Sequence, residues 1–556
     1  MKSLKGAIAA AALISASALG VAACGGDDDD EGGGGGGDTR KGGEISIGTV
    51  GPDNYDPALF QTLQAAQALQ LVYTPLTTYA HEEGRAGGEV IPGLAEELPT
   101  VTNGGRNYAF KLRQGLTYSD GTPVRASDFE HAMKRLIGQE GPYSSFFTGI
   151  VGAADYQEKG NDEADIPGIE ANDRTGEIRI ELEAPDGQFP YAMGQPYAAP
   201  VPASKAPIRS MTNDPPPGVG PYTIDVIDPK RRFVLTKNRR FNVPGLPEGN
   251  IDKITGVVSD SVPRMTQDVI DGKLDFMTED PTGDQLPEVR QKYRDRFRED
   301  ANPPNTYYFF LNVSVPPFDK LEARQAVNYA IDSNALVRIF GGRLEPGCTF
   351  LPPAVEGFKD YECPYGDPNE PGNVARAREL VEESGTKGQT VTVWTNNKDP
   401  RPAIAQYYAD VLSDIGYRTK VRTLDQQVYF DRVGTKSTKA QTGFTNWFQD
   451  FPHPADFFQP NLSGEALQST PTGNQGFVND RELDERIDEL TQEPDLGKVK
   501  DEWGELDELV VGPRKAYLVP YGYEKATSFF SERMGFEDCA GVHAVWKNDW
   551  TQFCLK

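Results

Sequence analysis

The sequence predicts an α/β protein of several lobes, and three observations carry that expectation. Residues 373–423 read as helix, strand, helix, strand; proline-rich joints stand at 214–221 ("DPPPGVGP") and 302–305 ("NPPN"); and 556 residues exceed what one hydrophobic core serves.

Each element follows from a local pattern. "GEISIGTV" (43–50) alternates apolar and polar residues, as a half-buried strand does. "YAFKL" (108–112) is a second strand, and the Asp-Gly of the following "SDGTPV" is a turn signal. "SDFEHAMKRL" (127–136) reads as a helix with Ser127 as its N-cap and Phe129, Met133 and Leu136 on one face. Ala323, Ala326, Val327, Ala330 and Ile331 keep the i, i+3, i+4, i+7, i+8 spacing of an amphipathic helix. A helix over 373–384 stops at Gly385, and a strand "TVTVWT" (390–395) follows. A second helix over 402–415 stops at Gly416, and "YRTKVRT" (417–423) closes the unit as a strand. Units of this kind favour a parallel pair with a right-handed crossover.

The amino terminus has its own logic. Lys2 and Lys5 precede 7–23, a run of 17 small or apolar residues, which is the layout of a secretory signal over 1–23. The run falls short of the roughly 20 strongly apolar residues that a spanning helix needs; an uncleaved anchor is the alternative. "VAAC" (21–24) resembles the lipobox of bacterial lipoproteins, in which the cysteine becomes the first mature residue and carries lipid, with valine standing where leucine is usual. Acyl chains on Cys24 would hold the mature chain to a membrane face. Over 24–40, Asp27 to Asp30 and Glu31 repel one another and the glycines at 25, 26 and 32–37 bury nothing, so a solvated tether is expected. The acidic run lacks the ligand spacing of a calcium loop.

With 83 acidic against 56 basic residues, the formal net charge is −27, which argues against nucleic acid or anionic lipid as the partner, because both need clustered Lys and Arg. Of the five cysteines, Cys24 is taken by lipid, and three connectivities remain open for Cys348, Cys363, Cys539 and Cys554. Local pairing, Cys348 with Cys363 and Cys539 with Cys554, is expected because each closes a short loop in an oxidising compartment. Each bond would add about 3 kcal/mol in the chain-entropy picture. Four free thiols are the alternative. No C-x-x-C offers a zinc site, the four histidines (His81, His131, His453, His543) are far apart, and no H-E-x-x-H, G-x-S-x-G or P-loop is present. The absence of these motifs argues against an enzyme without abolishing that reading, and no catalytic residue, metal or cofactor is expected.

Seven stretches, taken in order, give a family resemblance: "NYDPAL" (54–59), "VYTPLTTY" (72–79), "VIPGLAEELP" (90–99), "YAFKLRQGLTYSDGTPVRASDF" (108–129), "GVGPYTI" (218–224), "PPFDKLEARQAVNYAID" (316–332) and "WFQDFPHPADFF" (447–458). Together they resemble the family 5 extracellular solute-binding proteins of ABC transporters. The resemblance implies a periplasmic-binding-protein-like type II fold of cluster C, two α/β lobes closing over a ligand plus an inserted third lobe. On that map lobe I is 41–78, 216–305 and 523–556, the inserted lobe 79–215, and lobe II 306–522. It implies a lipid-anchored, monomeric, extracytoplasmic receptor that captures di- or oligopeptides and delivers them to a permease in the membrane. Asp450, three residues after Trp447, matches the aspartate that meets the peptide's α-ammonium, and Trp447 and Phe448 would line the pocket. Gln61 and Leu63, by their place after "YDP", match residues that approach the ligand. The peptide backbone would pair by strand addition, with side chains in partly watered pockets. Phe444 stands where the oligopeptide pattern has an arginine, so that residue's role is not carried over. A same-fold receptor for an oligosaccharide or metal chelate, a lipid-anchored hydrolase and an adhesin are the competing readings. Trp447 as plain core, with Asp450 capping a turn, is the competing reading of the site.

Overall fold

The computed structural model describes residues 40–159, 164–300, 304–468, 471–539 and 541–556. The expected signal, Cys24 and all of the tether but Arg40 lie outside the described residues, as does part of the joint at 302–305.

Three sheets organise the described chain. The first has seven strands in the spatial order Phe297–Asp300, Ala526–Phe530, Phe276–Met277, Glu44–Thr49, Lys253–Val258, Arg232–Lys237 and Tyr222–Asp228. Glu44–Thr49 lies at its centre, parallel to both neighbours, with Ile45 and Ile47 buried as their alternation requires. The second has six: Leu344–Glu345, Leu518–Glu524, Asn305–Leu311, Thr442–Phe448, Thr390–Asn396 and Arg418–Leu424. Its last two strands pair in parallel, Thr390 opposite Arg418, across the helix Arg401–Asp414. Gly385 and Gly416 end the two helices of this unit at φ +70° and +114°, backbone that a side chain resists.

The third sheet, Thr100–Thr102, Asn107–Lys111, Glu177–Glu181 and Ile169–Asn172, is antiparallel. The helix Ser127–Gly138 sends Phe129, Met133 and Leu136 into the same core as Tyr108, Ile178 and Ile180. Its start differs from the expectation. Ser127 lies inside the helix, and its N–H and hydroxyl donate to the Asp173 carboxylate at 2.8 and 3.0 Å. A negative group at a helix N-terminus is favourable, and here a distant loop supplies it. The helix Leu321–Ala330 buries Ala323, Ala326, Val327 and Ala330, while Ile331 falls just beyond it.

Cys348–Cys363 and Cys539–Cys554 are disulfide-bonded, each with Cα atoms 5.9 Å apart. One apolar core runs continuously through the first and third sheets, whereas two others flank the second. The chain crosses from the second sheet to the first at Lys525, the single residue between Leu518–Glu524 and Ala526–Phe530. Asn305 clasps the crossing from both sides: its amide donates to the Glu524 carbonyl and accepts from the Glu524 N–H, each at 2.9 Å. Arg343 reaches Glu524 at 2.8 Å and Asp280 at 3.4 Å, and Lys547 meets Asp280 at 2.9 Å.

The segment "NYDPAL" is anchored by a buried ion pair. Asp56 accepts from both terminal nitrogens of Arg135 (3.1 and 2.8 Å), from Ala58 N (3.1 Å) and from Met211 N (2.8 Å). Arg135 also donates to the carbonyls of Pro207 and Arg209. The side chains are 0 % and 1 % exposed, so every charge-assisted bond here replaces lost hydration.

Candidate functional site

In open α/β sheets, ligands sit beyond the carboxyl ends of the strands, because the connecting loops and helix starts converge there. The strand Thr442–Phe448 of the second sheet ends at such an edge, and its loop, interrupted by Pro452 and Pro454, leads into the helix Ala455–Leu462. Asp456 fixes this loop. One of its oxygens accepts from the Trp447 indole at 3.1 Å and from Asp450 N at 3.0 Å. Gln195 donates to the Asp450 carbonyl at 2.7 Å.

The Asp450 carboxylate itself is half-buried and, among the described residues, has neither a hydrogen-bond donor nor a cation at ion-pair distance. Burial pushes it up to about 7. Burial, reinforced by the charge of Asp450, also raises Asp456 well above the usual carboxylate range. His453 is driven down to about 3 by burial, and its Nδ1 accepts from Ala455 N at 3.1 Å.

Facing this loop is an aromatic array. Tyr143 stacks on Tyr197 at 4.7 Å between ring centres and lies 5.5 Å from Phe60, while Phe146 meets Phe451 edge-on at 5.0 Å. The Tyr143 hydroxyl donates to the Gln61 carbonyl at 3.2 Å. Burial, then the charge of Asp450, raises the Tyr143 hydroxyl well above its ordinary range. Gln61 and Asp450 therefore flank one array, although 389 positions separate them in sequence.

The other expected residues distribute differently. Successive residues of a strand project to opposite faces. Trp447 packs toward Asp456 and the core around Phe457, whereas Phe448, 48 % exposed, meets Tyr307 edge-on at 6.0 Å on the other face. Leu63 begins the helix Leu63–Leu69 and is 38 % exposed, with no ring contact or hydrogen bond joining its side chain to the other four.

Arg401, Tyr143 and Gln195 escaped sequence reasoning. The Arg401 guanidinium lies 4.3 Å from the centre of the Phe444 ring and has no carboxylate at ion-pair distance among the described residues. Its signal was indirect: Arg401 opens the helix that follows a strand's carboxyl end, beside the residue where the oligopeptide pattern has its arginine. Tyr143 and Gln195 left no signal, since only tertiary folding brings them here.

The chain matches the family described as bacterial extracellular solute-binding proteins, family 5, over residues 89–468. It is 26 % identical over 366 residues to the glutathione-binding protein GsiB of Escherichia coli, a match covering 64 % of this chain and 66 % of that protein. The chain thus spans just under two thirds of that relative's length. It is 24 % identical over 462 residues to the dipeptide-binding protein DppE of Bacillus subtilis, 80 % of each chain. Among solved structures, the clavulanic acid biosynthesis oligopeptide binding protein 2 superposes with a TM-score of 0.85 at 24 % identity, covering 93 % of this chain and 96 % of that one. That likeness shows a periplasmic-binding-protein-like type II fold.

Proposed function

This chain belongs to the family 5 bacterial extracellular solute-binding proteins, and from that membership we propose that it captures short peptides outside the cytoplasm, in a cleft beside Asp450, and delivers them to an ABC permease. The observation that carries the reading is Asp450: a carboxylate half-withdrawn from water and left without a protein cation is completed by a cationic ligand, and a peptide's α-ammonium is one. Arg401 supplies the opposite pole. Its unpaired guanidinium, held on Phe444, suits a carboxylate of the same ligand. The names of the relatives, which bind glutathione and dipeptides, support a small peptide with both charges. This is binding, not turnover.

In this reading the lobes divide as 41–78, 216–305 and 523–556; 79–215; and 306–522, each holding most of one of the three sheets, with Asn305, Tyr523 and Glu524 of the second sheet falling to the first lobe. Closure follows from contacts that exist only when the ligand bridges them. Lipid on Cys24 and the tether would hold the receptor near its permease, raising effective concentration. A non-peptide solute is the alternative reading, and it has no need of Asp450.

Mass spectrometry of small molecules released on denaturing the purified protein identifies the cargo directly. Calorimetry then compares a tripeptide with its N-acetylated form, and equal affinity for both would remove the ammonium from the proposal. Replacing Arg401 with alanine is expected to weaken free-acid peptides by roughly tenfold or more, with little change for the C-terminal amides.

The pH dependence has a definite sign. Only ionised Asp450 attracts an ammonium, and in the empty site it takes up a proton below about 7. Affinity should fall as pH drops from 7 toward 5, by at most about tenfold per unit, and fall again above about pH 8 as the peptide amine deprotonates. Calorimetry at pH 6 in buffers of different ionisation enthalpy should register proton release on binding; its absence would contradict this account.

A further inference from the structure

The chain carries far more acid than base, yet residues 418–439 hold six exposed cations, Arg418, Lys420, Arg422, Arg432, Lys436 and Lys439, against two carboxylates, Asp425 and Asp431. None of the six has a carboxylate at ion-pair distance among the described residues. Three of them share one face. Arg418, Lys420 and Arg422 alternate along Arg418–Leu424, the outermost strand of the second sheet, and so project to one face. Arg422 lies opposite Trp394, with its guanidinium 4.4 Å from that ring, and Trp394 pairs with Gly443. A Cβ on Gly443 would come within 2.8 Å of the Tyr429 hydroxyl, so the helix Gln426–Val433 covers this same face. The short turn Lys436–Thr438 continues from that helix.

Charges on an edge strand discourage pairing between copies, and that accounts for the first three cations. It does not account for the three that follow on the helix and turn, nor for the apolar side chains among them. Val428 and Phe430, on the helix Gln426–Val433, are 49 % and 37 % exposed, two of the nine large hydrophobics exposed among the described residues. Cations interleaved with exposed apolar groups suit the headgroup layer of a bilayer, where phosphate meets the charges and the rings enter the boundary.

We propose that this face docks on an anionic phospholipid surface and sets the orientation of the receptor on its membrane. The overall charge argues against lipid as a general partner, so a locally cationic face is what would turn toward an anionic surface.

The test is cosedimentation of the full chain with vesicles of phosphatidylcholine alone or mixed with phosphatidylglycerol. Binding to the mixed vesicles is expected at low salt, with release at high salt. The triple reversal Arg418→Glu, Lys420→Glu, Arg422→Glu should weaken partitioning roughly a hundredfold, whereas the equally charged control Lys230→Glu, Arg231→Glu, Arg232→Glu, in the exposed turn before Arg232–Lys237, should change it far less. Residues 1–37 are common to all variants, so differences among them report on this face. Equal loss in both triples, or no preference for the anionic vesicles, overturns the proposal. Capture of an acidic permease segment without vesicle binding would reassign the face to a protein partner. Peptide calorimetry on the same variants keeps this outcome separate from that of the ligand reading.

Discussion

Replacing Asp56 with alanine is expected to destabilise the protein by about 3–5 kcal/mol, because Arg135 would be left charged and buried with no counter-ion. The pair is closed to solvent on both sides, and Asp56 is also the acceptor for Ala58 N and Met211 N, so the substitution strands two backbone donors as well. A loss of this size is a large part of the stability of a typical folded chain. Urea denaturation should show a lower midpoint. The double variant Asp56→Leu with Arg135→Met removes both charges and should recover part of the loss. If the double variant is no better than Asp56→Ala, the penalty lies in the backbone donors and not in the orphaned guanidinium.

Asp450→Asn should reduce peptide affinity by roughly 2 to 5 kcal/mol, the range for truncating one partner of a desolvated charge pair. The same change should make the empty protein more stable at neutral pH. The carboxyl sits near 7 in the folded protein against an ordinary value of 3.8, so the folded state resists ionisation that the unfolded state undergoes freely. Its contribution to stability is therefore fully present below about pH 4 and declines as pH rises toward and through 7. Asparagine removes that decline, and the gap between variant and wild type should widen from pH 5 to pH 8 in thermal melts. Affinity lost together with stability gained marks a residue kept for its ligand; a purely structural aspartate would lose both.

The legible parts of this fold are those written in local patterns. The helix and strand pattern of 373–423 needs only apolar spacing and two glycines with positive φ, and the structure follows it within one or two residues. The start of Ser127–Gly138 was not legible, because its partner Asp173 lies 46 positions away and local propensity favoured Ser127 itself as the cap. At the site, the tryptophan-to-aspartate spacing pointed to the loop around Asp450, whereas the strand's alternation separates Trp447 from Phe448. Tyr143 and Gln195 reach the loop around Asp450 from two other segments, and Arg401 comes onto the Phe444 ring from a third, so only the assembled sheets reveal them.

The crossing at Lys525 limits how any opening can proceed. The chain passes between the same two sheets a second time, from Phe297–Asp300 to Asn305–Leu311, and Asn305 is bonded to Glu524, so two short ties would confine any travel to a turn about an axis near these residues. The arc swept by each side chain would then grow with its distance from that axis, least for Glu524 and Ala526 in their ladders and greatest at the far ends of the two sheets.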